Sequence, residues 1–288
     1  MNRPHAPMFV PKKYLDMFPL DQLMLPETIP NDRDDLAEAL DKHSMMSTGR
    51  HGFNKYSEIV HSSKGNLLKN WLQAYLAGVA MVDEQVGKVM EALRSGPNAE
   101  NTYVVLTSDH GYHLGEKEYL FKNSPWEKST RIPFIVVGPN VQGGRRCDQP
   151  ITLIDVYPTL ADLAGIDMVP NRWASKNVRR PLDGHSLVPL LRDETAKNWG
   201  GPPIALTAVA SSKPLMVAQR GEIKDQIYSV RSVRYRYILC PNGEEELYDH
   251  AKDSHEWYNV AKNPVYAEAK ASMRKELFGL LKFEGSRW

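Results

Sequence analysis

Cysteine is nearly absent: Cys147 and Cys240 stand far apart in 288 residues and make neither a CxxC pair nor a disulfide framework. Two unpaired thiols are the plain reading, and they report little about redox compartment. Charge of one sign is also missing. Lys and Arg total 36 against 35 Asp and Glu, a formal net charge of +1, so no field points to nucleic acid or to a membrane surface. The expected partner is small, or polar and uncharged overall. No run approaches the ~18 consecutive apolar residues of a membrane span. The opening MNRPHAPMFVPKKY is not a charged and then apolar leader, so the chain shows no export signal.

The length suffices for one large α/β domain, or for an ordinary domain with a smaller companion. Six prolines fall within residues 1–33, which predicts an extended surface segment lying across a larger body. From Asn66 to Leu93, apolar residues recur at helical spacing through Leu68, Leu72, Leu76, Val79, Val86 and Leu93, and Ser95-Gly96-Pro97 stops them. The apolar runs 103–106 and 132–137 read as strands buried on both faces, and a helix feeding such a strand predicts a parallel βαβ arrangement. A second helix is expected over 154–164, ended by Gly165. Beyond residue 200 the texture changes. Residues 227–239 alternate apolar and basic, Pro241-Asn242-Gly243 offers a turn, and 246–248 return, which predicts a half-exposed antiparallel hairpin before a last helix over about 265–283. A larger α/β part, 1–200, is thus followed by a smaller α+β part, 201–288.

The strand at 103–106 ends on Asp109-His110-Gly111, and Lys122 follows a short loop later. Ligands of open α/β sheets gather beyond the carboxyl ends of strands. Adjacent heads at such an end can aim at one point, and glycine lets the chain turn behind them. A carboxylate beside an imidazole is half of a divalent-metal shell, and Lys122 adds a cation suited to an anionic substrate. The alternative is an Asp that caps the following segment and a His that hydrogen-bonds it.

TSDHGYHLGEKEYLFK (107–122), followed by PWEKSTRIPFIVVGP, resembles the sulfatases of the alkaline phosphatase superfamily, and within them the iduronate-2-sulfatase-like group. RPHAPMFVPKKYLDMFP (3–19) is similar to the family's PHxPF segment. YLAGVAMVDEQVGKVMEAL, ITLIDVYPTLADLAGI, PLDGHSLVPLL and SVRSVRYRYILCPNGEEELYDHAKDSHEWYNV follow in family order. The resemblance implies an alkaline-phosphatase-like α/β sandwich, with a central, mostly parallel sheet flanked by helices and a small C-terminal α+β subdomain on an antiparallel sheet. It implies that Asp109 and His110 bind one divalent cation, usually calcium. Lys122 is then expected to contact the sulfate, and His5 to touch the ester and protonate the leaving alcohol.

The pattern departs from the family at one place. The nucleophile is a formylglycine made from Cys or Ser in C/S-x-P-x-R, and that motif is absent: Cys147 lies in CDQPI, Cys240 in CPNGE and Ser212 in SKPLM. A pair of N-terminal aspartates and a Lys-x-His contribution are missing too. The chain therefore reads as the C-terminal portion of a longer enzyme, inactive by itself, which needs a missing N-terminal segment or chain. A full-length relative would be periplasmic or secreted. The implied substrate is a sulfated small molecule or carbohydrate. Phosphoester or phosphonate hydrolysis, and a non-catalytic subunit that binds sulfated glycan, are the alternatives.

Other residues carry two readings. Trp126 is a platform for a sugar ring or a packing residue. His113 and Lys117 line a sugar pocket or lie on a solvated loop. His185 and His255 read as turn residues, and Arg231, Arg234 and Arg236 as a solvated sheet face.

Overall fold

The computed structural model describes residues 3–41, 49–167, 182–196, 199–209, 215–216, 219–220 and 222–281. Ser212 and the expected end of the last helix at 282–283 lie outside them. In chain order the helices are α1 (Lys12–Leu15), α2 (Glu38–Asp41), α3 (Gly49–Val60), α4 (Leu68–Arg94), α5 (Glu127–Thr130), α6 (Val156–Ala164), α7 (Val188–Arg192) and α8 (Ala267–Leu281). The strands are β1 (Val104–Thr107), β2 (His113–Leu114), β3 (Leu120–Phe121), β4 (Phe134–Val137), β5 (Ala205–Val209), β6 (Leu215–Met216), β7 (Gln219–Arg220), β8 (Ile227–Arg231), β9 (Tyr235–Leu239) and β10 (Glu245–Asp249).

The long helix forms where the apolar stripe demands it, two residues late at its start because the Asn66 side chain accepts from the Leu68 N–H at 2.9 Å. The proline-rich leader lies along it. Pro4 packs over Gly78, Lys13 pairs with Glu84 at 2.7 Å, and Gln73 donates to the Phe18 carbonyl at 2.8 Å. Helix α6 ends as expected at Gly165, whose φ of 64° is left-handed.

The two apolar strands differ from expectation. β1 and β4 pair antiparallel, Val104 opposite Val137 and Thr107 opposite Phe134, and Ile135 and Val137 are about half exposed. A parallel return needs a crossover of a dozen or more residues, usually helical. Between these strands the chain holds the two-residue strands β2 and β3, a 3-10 turn at Glu116–Glu118 and the four-residue α5, with no long helix to carry it across the sheet, and it doubles back.

The C-terminal sheet runs β10-β9-β8-β5, with every described pair antiparallel. The alternating stretch 227–239 is two strands rather than one, folded at Ser232, whose N–H donates to the Tyr235 carbonyl at 2.8 Å. Alternation continues through a tight hairpin, and Ser232-Val233-Arg234 carries no Gly or Pro to mark it. The sheet is buried on both faces, not half exposed. Ile227, Ile238, Cys240 and Tyr248 pack against Leu40, Phe53, Tyr119 and Trp126, while Tyr228, Val230, Tyr237, Leu239 and Leu247 pack beneath Met273 and Leu277 of α8. The first of these faces fastens the segment that follows Asp109 and His110.

Candidate active site

Asp109 and His110 leave the end of β1 side by side, and they line one broad open cleft together with Lys122. The His110 Nδ1 lies 2.8 Å from the Gly111 carbonyl, and a carbonyl only accepts, so Nδ1 carries the hydrogen. Nε2 stands 3.4 Å from Asp109 Oδ2, and in the neutral ring it carries a lone pair. Two acceptors held that close repel unless a positive charge joins them. The donor set, one carboxylate oxygen and one imidazole nitrogen, fits a divalent cation. The other carboxylate oxygen, Oδ1, accepts from the His110 N–H at 3.1 Å, so the capping role exists as well but uses only one edge of the group.

Gly111 is required by space and not by a turn. A Cβ there would stand 2.8 Å from the Arg131 carbonyl oxygen and nearer still to that of Lys128, while its N–H donates to the Ser129 carbonyl at 2.8 Å. The α5 carbonyls thus wall in the backbone directly behind the dyad.

Lys122 follows β3 at a bend where Phe121 adopts φ 80°, unusual for a bulky residue. Its side chain is partly buried, and among the described residues its ammonium meets no carboxylate. His5 is not among the residues lining the cleft. It is exposed, its Nδ1 2.5 Å from the Ala6 carbonyl.

Several readings need correction. Trp126 offers no face to a sugar: it is 1% exposed, sits in the core and donates its indole N–H to Glu246 at 2.8 Å. His113 and Lys117 are buried, not solvated. His113 bonds Ser124 Oγ at 2.9 Å, and burial lowers its imidazole to about 4, so it stays neutral. Lys117 pairs with Asp32 at 3.0 Å, beneath the Tyr248 ring. The three arginines of the sheet are ion-paired, Arg236 deeply, to Glu256 and Glu127, and Arg234 to Asp249 at 2.7 Å. His255 stacks on Trp257, and His185 lies edge-on to Trp199 in the wall of the cleft.

Among the described residues one other group has metal-ligand spacing, Glu127, His250 and Glu256, with ligand atoms within 4.8 Å of one another. The Arg236 guanidinium already occupies that position, with its Nε 2.5 Å from Glu256. No local pattern marks this cluster, because its members come from α5 and from the turns after β10.

Asp109, His110 and Lys122 thus line one open cleft, the first two adjacent just beyond β1. The chain belongs to the sulfatase family, whose profile matches residues 1–166; a second profile, N-sulphoglucosamine sulphohydrolase, C-terminal, matches residues 115–282. A sulfatase of Formosa agariphila is 32% identical over 91% of this chain and 45% of its own length. The chain thus spans about half the length of that relative. The solved structure of a 2-O GAG sulfatase superposes with a TM-score of 0.69 at 27% identity, covering 92% of this chain and 52% of that one. A phosphonate monoester hydrolase of Silicibacter pomeroyi superposes at 0.75 with 23% identity, over 96% and 54%, and shows the fold alone. The fold is that of the alkaline phosphatase superfamily, to which this chain contributes antiparallel strand pairs.

Proposed function

We propose that these 288 residues form part of an enzyme that hydrolyses sulfate monoesters on a sulfated carbohydrate. The observation that carries this is the convergence of Asp109 Oδ2 and His110 Nε2, 3.4 Å apart in the cleft that Lys122 also lines. Asp109 and His110 would hold a divalent cation, calcium by family, which would supply Lewis-acid stabilisation of the sulfate oxygens. The formylglycine nucleophile has no C/S-x-P-x-R motif here and would be supplied by polypeptide outside these residues. Lys122 offsets the charge that builds on the bridging oxygen as the S–O bond breaks. His5, carried by the leader along α4, is assigned the proton for the leaving alcohol; the assignment requires the leader to bring it toward the cleft once the site is complete.

The test is turnover of an aryl sulfate. The chain alone is expected at background. Co-expressed with the nucleophile-bearing half of the Formosa agariphila sulfatase, in a cell that makes formylglycine, it is expected to gain sulfatase activity. Turnover by the chain alone would contradict the assignment of the nucleophile. A complex that cleaved phosphonate monoesters faster than sulfates would support the phosphonate alternative, and a complex that binds sulfated glycan without turnover the non-catalytic one.

A further inference from the structure

The residues that wall in Gly111 are themselves fixed from the far side by a buried ion network. Arg236, 2% exposed on β9, reaches Glu127 at the start of α5 and Glu256 beyond β10. The Glu127 N–H donates to Glu256 Oε2 at 2.8 Å. Ser229 Oγ donates to the Pro125 carbonyl at 2.7 Å and accepts from Arg236 at 2.6 Å. Arg231 adds a bond to Glu127 at 3.2 Å, and His250 one to Glu256 at 2.8 Å. Burial alone would raise Glu256, yet Arg236 and His250 bring its carboxyl down to about 2.

We propose that Arg236, Glu127 and Glu256 are positioning residues for the Asp109–His110 dyad: they clamp α5 to the C-terminal sheet, and α5 clamps Gly111. A packing role by itself would not require this route. Three of the links reach backbone directly, from Ser229 and Arg236 to the Pro125 carbonyl and from Glu256 to the Glu127 N–H, and the same short helix turns its Ser129 carbonyl to the Gly111 N–H. The antiparallel sheet would then set the direction in which the metal ligands point, although none of its residues belongs to the dyad. The inference rests on the reading of Asp109 and His110 as metal ligands.

The test is amide hydrogen exchange in the full chain, without added metal. Glu127→Gln keeps the shape and removes the charge. It is expected to speed exchange at Gly111 at least tenfold relative to Leu239 in β9. Ser229→Ala, a milder change should Glu127→Gln not fold, is expected to speed it about threefold on the same ratio. Arg234→Gln, which breaks the pair between the half-exposed Arg234 and the buried Asp249 at the same sheet, is expected to leave the ratio unchanged. If Gly111 and Leu239 accelerate together, or if neither moves, the network only stabilises the fold and the proposal is overturned. A parallel calcium titration of the wild-type chain separates the two readings: calcium that never perturbs His110 removes the metal assignment, while the exchange ratio still reports the clamp.

Discussion

Gly111→Ala is expected to destabilise the protein by about 3 kcal/mol or more and to abolish metal binding at the end of β1. The new methyl would meet two backbone carbonyl oxygens, those of Lys128 and Arg131, and neither can yield as a flexible side-chain tip would. Either α5 moves, which strains its bonds to Glu256 and Arg236, or the 109–111 backbone moves, which parts Asp109 from His110. A urea titration reads the first consequence as a lowered midpoint, and calcium-induced shifts at His110 read the second. A midpoint equal to wild type would mean that the backbone does not approach so closely.

Lys122→Ala is expected to lower kcat of the reconstituted enzyme ~10²- to 10³-fold with a smaller change in KM, because its charge matters most as negative charge builds on the leaving oxygen. The fold should be untouched. Lys122 makes no ion pair among the described residues, so removing it unpairs none of their carboxylates, and thermal denaturation should match wild type. A rise in KM alone would make it a binding residue only.

The sequence made the local features legible and concealed the long-range ones. The stripe from Leu68 to Leu93 and the left-handed Gly165 are decided by neighbours within a few residues, so helices α4 and α6 could be placed. Asp109 and His110 were visible because they are adjacent, and their relation survives any uncertainty in the sheet. Gly111 was noticed for the wrong reason: its requirement is the approach of α5 across the chain, which no local pattern records. Trp126 and Arg236 misled in the same way. Their partners Glu246, Glu127 and Glu256 lie 20 to 120 positions away, so an alternating basic strand looks solvated although its last arginine, Arg236, is buried with two carboxylates. β1 and β4 were recognised as strands, but their direction depends on what the intervening chain can span.

The claim that matters most is that Asp109 and His110 are the ligands this chain gives to a divalent cation. Titration of the 288-residue chain with calcium, followed by backbone amide shifts, tests it directly. Two protein ligands leave most of the calcium shell to water, so the expected result is weak saturable binding, with Kd on the order of 10⁻³ M, perturbing residues 107–112 and lost in Asp109→Asn. Saturation that leaves 107–112 unmoved, or that centres on Glu127, His250 and Glu256, would contradict the account.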